Sequence, residues 1–329
     1  MFLDGSAKER NMQICAIVFT YNRKYMLREC LMSLLRQIYK VDMICIVDND
    51  SEDGTEQLCR EEFDGIPNVI YRNIAGGNVG PAACVFEGLD FAYQKSFDWV
   101  WIMDDDAEPP ADALEKLMYF GVSKEIGAVG CLVHGKSDII QAHHHLVVNS
   151  LLREKRVFDT VSRQEVEKMP PVRVDVTSFV GLLISRKALD VVGLNRKDYF
   201  MYQDDKEFTY RVSRHLPVYI LPSAPILHKD DSNKQGHRLK TEVFWRVYYG
   251  FRNSILFRRD ISLILAVFYG LYGVVRSVAG IYYYNDEFKC LRMKCVIRGF
   301  IDGLLGISGK RIDPKEYQNL VKKRVARYM

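Results

Sequence analysis

Four short apolar runs, each ending in small polar or acidic residues, constrain this chain more than any other feature. Residues 13–20, 43–47, 69–72 and 98–103 are rich in β-branched and aromatic side chains and too short for helices. Between the first two, Met26, Leu27, Cys30, Leu31, Leu34 and Leu35 make the i, i+3, i+4 stripe of an amphipathic helix over 24–37. Helices are also expected at 55–62 and 81–94. Such alternation specifies a parallel sheet, in which the carboxyl ends of the strands face the ligand. The expected fold is therefore α/β, a Rossmann-like, mostly parallel sheet flanked by helices.

The fourth run ends in Asp104, Asp105 and Asp106. Adjacent carboxylates at a strand end repel one another, and a divalent cation that prefers oxygen ligands, Mg²⁺ or Mn²⁺, relieves the repulsion. Alternate side chains of a strand share a face, so Asp104 and Asp106 can reach one ion while Asp105 points elsewhere. The bland alternative is a solvated acidic loop that caps a helix near 111–119. The other polar clusters, from Asn22, Asp48 and Gly76 onward, also follow strand ends, which favours a ligand site. The turn with Gly76, Gly77 and Gly80 matches neither a GxxxxGK[ST] phosphate loop nor a dinucleotide fingerprint after the first strand.

A second acidic group, Asp204, Asp205 and Glu207, follows Tyr199, Phe200 and Tyr202. As structure alone it is a helix N-terminus whose dipole favours acids, with Glu207 pairing to Arg211. As chemistry it is a carboxylate beside an aromatic wall, suited to general-base work on a hydroxyl. A strand at 218–221 and a loop then lead to His228. A single histidine is usually structural, but this one closes a segment opened by acids and would complete a carboxylate-rich ion site. His143, His144 and His145 cannot all face one ion from a regular strand and are expected on an exposed loop or strand. Residues 153–168 are charged and read as a surface excursion.

Taken together these segments resemble the family 2 inverting glycosyltransferases of GT-A fold, in particular their rhamnosyl- and galactofuranosyltransferase branch. The pieces are VFTYNR (18–23), VDNDSEDGT (47–55), NVG (78–80), WIMDDD (101–106), FVG (179–181), QDDKE (203–207) and His228. The resemblance implies that Thr20, Tyr21, Asn22, Arg23, Asp48 and Asn78, with Asp104 and Asp105, hold a UDP- or dTDP-linked sugar. It implies a divalent metal, Mn²⁺ or Mg²⁺, at Asp104, Asp106 and His228. It also implies a general base at Asp205, with Asp204 beside it. The implied reaction moves galactofuranose or rhamnose to a glycan or lipid-linked acceptor in bacterial surface-polysaccharide synthesis. Gln203 departs from the Trp or Gly common in the family, and the turn after Gly80 is less glycine-rich than the galactofuranosyl pattern.

The net charge of +4 hides an asymmetry: residues 229–329 carry 20 Lys/Arg against 9 Asp/Glu, and residues 1–228 carry 26 against 33. A basic region suggests an anionic partner such as a phospholipid surface. Aromatics interleaved with arginine over 241–259 suit in-plane membrane attachment, a buried helix or a homodimer contact alike. Residues 261–284 contain one charge, Arg276, and are just long enough to span a bilayer. Nothing else resembles a nucleic-acid-binding module, so no nucleic-acid partner is expected. The chain is thus expected to divide into a catalytic domain, 1–240, and a helical, basic extension, 241–329. Eight cysteines without CxxC pairs and a polar N-terminus point to a reducing cytoplasm, at the inner face of the membrane. Two rivals stand beside this reading. A nucleotidyltransferase also uses paired acids and metal, but no basic triphosphate motif follows the first strand here. A non-catalytic nucleotide-sugar-binding module would not require Asp205.

Overall fold

A computed structural model describes residues 12–150, 153–158, 162–229, 244–283 and 289–325, so the expected division at 240/241 lies outside the described residues. The chain opens with β1 (Ile14–Thr20), α1 (Lys24–Leu35), β2 (Met43–Asp48), α2 (Thr55–Glu62), β3 (Val69–Asn73), α3 (Pro81–Gln94) and β4 (Trp99–Asp104). Next come β5 (Ala107–Glu108), α4 (Ala113–Val122), β6 (Ala128–His134), β7 (His145–Ser150), β8 (Arg153–Arg156) and α5 (Arg163–Val166). Then follow β9 (Val172–Val174), β10 (Val176–Thr177), β11 (Leu182–Ser185), α6 (Arg186–Val192), α7 (Asp204–Ser213) and β12 (Val218–His228). Last are α8 (Phe244–Ile261), α9 (Leu263–Tyr283), α10 (Lys289–Leu305) and α11 (Pro314–Val325).

The main sheet runs β3-β2-β1-β4-β11-β6-β12-β5, with β9 also paired to β12. Its first four strands are parallel, and all but the edge strand β3 are buried on both faces. Ile14, Ala16 and Val18 join the cluster of α1 and α4, while Cys15 and Ile17 join that of α3, the period-two division of a strand. The register pairs Thr20 with Asp48 and Phe19 with Asp104, so three strand ends reach one edge together. All eight cysteines are free thiols.

Four expectations need correction. β4 stops at Asp104, so Asp105 and Asp106 lie in the turn to β5; that turn, rather than strand alternation, places them. They are also buried, which removes the solvated-cap reading. Residues 218–228 form one strand rather than a strand and a loop; its register on β6 breaks between Leu221 and Pro225, around two prolines that cannot donate to a ladder. Residues 153–158 and 162–168 are not merely surface, since Phe158 and Val166 are buried and β8 completes a small sheet, β10-β7-β8. The histidine run is not all exposed either. His145 is buried, its Nε2 accepts a hydrogen bond from Val133 N at 3.1 Å, and its ring packs edge-on to Phe158.

The C-terminal helices pack on one another and on the segment before α7. α8 buries Tyr248, Tyr249, Arg252 and Asn253 completely. It lies against α10, where a Cβ at Gly303 would stand 2.9 Å from the Arg252 carbonyl. α9 contrasts with it: Leu263, Ile264, Phe268, Tyr272 and Val275 are all more than half exposed. Its segment Leu263–Ile281 is long and apolar enough to cross a membrane by length and composition.

Burial pushes the His145 imidazole down to about 3. The unfolded chain titrates near 6.5, so below that pH it takes up a proton that the folded chain refuses. Stability is therefore expected to fall as pH drops from about 6.5 towards 3, with this residue contributing roughly 1 kcal/mol per pH unit. Urea unfolding across that range checks it: His145→Gln should be less stable at pH 7 yet show a shallower decline on acidification.

Candidate functional site

The site starts where β1, β2 and β4 end. Thr20 Oγ1 donates to Asp105 Oδ2 at 2.8 Å, and Arg23 Nη1 donates to Asp105 Oδ1 at 3.3 Å and Asp106 Oδ2 at 2.8 Å. β5 pairs with the end of β12, opposing Ala107 and His228. That pairing sets His228 Nε2 3.2 Å from Asp106 Oδ1 and 3.7 Å from Asp104 Oδ2. Gln141 Oε1 accepts from His228 Nδ1 at 2.8 Å and from His144 Nε2 at 3.0 Å. With Nδ1 so engaged, Nε2 is the His228 nitrogen turned to the carboxylates, an arrangement typical of metal-ligating histidine.

Burial pushes Asp104 up to about 7, and the charge of Asp106 adds to it. Asp105 rises to about 6 through burial, against the pull of Arg23. Burial also acts upward on Asp106, but His228 and Arg23 outweigh it and hold that carboxyl below the usual range. Asp104, Asp106 and His228 each offer one ligand atom, all within 4.8 Å of one another. Asp106 Oδ1 is buried without a well-aligned donor. Two carboxylates and an imidazole around such an atom fit a divalent cation.

The loops around this cluster interlock. Asp48 is buried; its Oδ1 accepts from Ser51 N and Oγ, and its Oδ2 from the Tyr71 hydroxyl at 2.5 Å. Asn22 N donates to Ser51 Oγ, and Asn22 Oδ1 accepts from Glu52 N. Asn49 Nδ2 donates to Asn78 Oδ1 at 3.0 Å, and the same oxygen accepts from Gly80 N. Two C-terminal lysines lie over this wall: Lys310 Nζ donates to Asn78 O at 2.8 Å, and Lys315, beside Tyr21, pairs with Glu52.

The opposite wall is α7 and the segment before it. Phe200, Tyr202 and Gln203 all have positive φ, 65°, 66° and 68°, a conformation that bulky side chains resist. α8 holds it in place. Asn253 Nδ2 reaches the carbonyls of Tyr199 (2.9 Å), Met201 (2.7 Å) and Tyr202 (2.9 Å), and Arg252 Nη2 bonds Tyr199 O at 2.9 Å. On the other side Gly80, at φ +90°, comes so close that a Cβ would sit 2.1 Å from Phe200 O. The segment delivers Asp204 and Asp205 to the first turn of α7. Burial, the charge of Asp205 and that of Asp104 push Asp204 well above the carboxylate range. Burial raises Asp205 too, against Lys206. Since Asp204 feels Asp104, the acidic pair and the ion cluster share one space. Glu207 and Arg211 pair at 2.6 Å.

The profile of Glycosyl transferase family 2 matches residues 15–193, more than half of the chain. The chain belongs to that family. This glycosyltransferase is 25% identical over 221 residues to galactofuranosyltransferase GlfT1 of Mycolicibacterium smegmatis, covering 65% of this chain and 70% of the relative. It is 23% identical over 308 residues to dTDP-rhamnosyl transferase RfbF of Shigella flexneri, covering 91% and 98%. Its fold matches S. aureus TarS 1–349 with a TM-score of 0.56 at 16% identity, over 89% of this chain and 81% of that one. It matches GalNAc-T7 with UDP, GalNAc and Mn²⁺ with a TM-score of 0.58 at 13% identity, over 91% and 57%. The fold of the enzyme is GT-A, and Asp104 to Asp106 form its DXD-like triad.

Gln141, Arg252, Asn253, Lys310 and Lys315 are site neighbours that sequence reading missed. The usable signal was Arg252-Asn253, an adjacent polar pair in the middle of a helix rich in aromatic residues. Asn253→Ala leaves buried carbonyls short of a donor, so stability should fall by about 1–3 kcal/mol. Donor turnover should drop by roughly tenfold or more as α7 loses its aim. Urea unfolding and donor-hydrolysis kinetics check both, and a variant that loses stability without losing turnover would deny Asn253 a positioning part.

Proposed function

We propose that the enzyme is an inverting, metal-dependent transferase of galactofuranose or rhamnose from a UDP- or dTDP-linked donor. The observation that carries this is the facing of the Asp104, Asp106 and His228 cluster by the raised pair Asp204 and Asp205. The two named relatives supply the two candidate sugars, and the rhamnosyl relative aligns over 91% of the chain. Residues 1–240 act as the catalytic domain, and 241–329 as a helical extension that braces it.

Asp104, Asp106 and His228 would hold Mn²⁺ or Mg²⁺, which when bound supplies a Lewis acid for the departing nucleoside diphosphate. Thr20, Tyr21, Asn22, Arg23, Asp48 and Asn78 form the wall on which the nucleotide rests, with Asp104 and Asp105 at its diphosphate end. Arg23 neutralises Asp105 and Asp106, so the donor's phosphates do not meet bare carboxylates. Asp205, which burial raises above the usual carboxylate range, takes the proton of an acceptor hydroxyl, and Asp204 keeps it in place. The hydroxyl oxygen bonds to the anomeric carbon as the bond to the diphosphate breaks, so one displacement inverts the configuration. The basic extension and the exposed face of α9 suit peripheral contact with the cytoplasmic side of a membrane that carries the acceptor.

Titrating UDP-galactofuranose and dTDP-rhamnose with Mn²⁺, Mg²⁺ or EDTA tests the reading. One donor should be hydrolysed slowly with metal and not with EDTA. Asp205→Asn should bind that donor as before while losing turnover by about a hundredfold or more. Hydrolysis indifferent to EDTA, or loss of donor binding in Asp205→Asn, would refute the assignment.

A further inference from the structure

The small sheet β10-β7-β8 supplies no member of the ion cluster or the nucleotide wall, yet it grips the helix that carries the acidic pair. Two ties join them, both within one turn of Asp205. Thr209 Oγ1 accepts from Thr177 N of β10 at 3.1 Å and lies 2.7 Å from the Asp205 carbonyl oxygen. Lys206 Nζ donates to Glu154 Oε2 of β8 at 2.5 Å. The other oxygen of Glu154 stands 3.5 Å from Nη2 of Arg258, a buried residue of α8. Glu154 is the one acid in β8, whose sequence is Arg-Glu-Lys-Arg, and it is half-buried where Lys155 and Arg156 are exposed. The Lys206 and Glu154 side chains are 20% and 22% exposed, so water screens this pair less than a surface one.

The consequence concerns the ammonium of Lys206. Chain connectivity keeps Lys206 beside Asp205, whose Oδ1 already accepts from the Lys206 amide at 2.8 Å. An ammonium free to reach that carboxylate would hold it ionised and weaken it as a proton acceptor. Glu154 takes the ammonium instead. The other charges about Asp205 are Asp204, next to it on α7, and Arg258 of α8, behind Glu154. Burial raises the Asp205 carboxyl most, Lys206 pulls it down and Glu154 pushes it up. Among the described residues Asp205 bonds no member of the ion cluster.

We propose that Glu154 is a positioning residue for the base: it holds the Lys206 ammonium against the small sheet and so keeps Asp205 able to accept a proton. This rests on the reading of Asp205 as the base and adds the residue that sets the charge beside it. The tie of Thr209 to β10 fixes the backbone of the same turn, so the sheet governs both where Asp205 sits and which charge it meets.

The test follows the Asp205 carboxyl by NMR in the full chain carrying ¹³C-labelled aspartate, without metal; loss of the signal in Asp205→Asn identifies it. Its titration should move to lower pH in Glu154→Gln and to higher pH in Lys206→Met, and the double variant should return towards the parent. Hydrolysis of UDP-galactofuranose or dTDP-rhamnose with Mn²⁺ gives the second readout. Its acid limb should move in the same two directions, and its plateau should fall by about threefold or more in Glu154→Gln. Thermal midpoint and UDP affinity control for folding; if Glu154→Gln unfolds, Lys206→Met alone decides. An Asp205 titration unmoved in the single variants, or moved the same way in both, would overturn the proposal and leave Glu154 a structural brace. An acid limb that ignores the Asp205 titration would instead sink the reading of Asp205 as the base, while the carboxyl signal still reported on Glu154.

Discussion

Burying consecutive carboxylates is unfavourable unless each finds a partner, and the catalytic edge of this enzyme is built around that constraint. Thr20 and Arg23 engage Asp105, and Arg23 also reaches Asp106. His228 reaches Asp106 only because β12 continues past two prolines and closes on β5. Asp104 remains the least compensated of the three, and burial leaves it titrating near neutrality. A divalent cation between Asp104 and Asp106 would remove that deficit.

The facing wall is governed by backbone rather than charge. Residues at positive φ cost on the order of 1 kcal/mol or more each and persist only where neighbours over-determine them. Here the neighbours are Asn253 and Arg252 on one side and the bare backbone of Gly80 on the other. The loop after β3 and a helix near the chain's end thus meet through the same carbonyl-rich segment. The acids of α7, the turn at Gly80 and α8 are mechanically one object.

The alternation up to β4 was legible because strand and helix periods are local, and boundaries moved by only a residue or two. The acidic triplet at the close of β4 was legible from the apolar run before it; the nearness of His228 to it owed more to the family resemblance. β12 was not, because Pro222 and Pro225 mimic the end of a strand. Nor was the burial of His145, which depends on one backbone N–H from Val133. The work of α8 left no periodic trace at all. Arg252 and Asn253 act on carbonyls some fifty positions earlier, and such contacts are invisible to any window of sequence.

The dependence of the Tyr199–Gln203 backbone on α8 has a consequence for how the enzyme comes into being. Chains are made from the N-terminus, and structure forms as the needed residues emerge. By residue 228 a growing chain holds Asp104, Asp106 and His228 and both acids of α7. The backbone that aims those acids gains its partners only once Arg252 and Asn253 have left the ribosome and α8 has docked. The edge formed by β1, β2 and β4 therefore gains its partners before the Tyr199–Gln203 backbone gains its own.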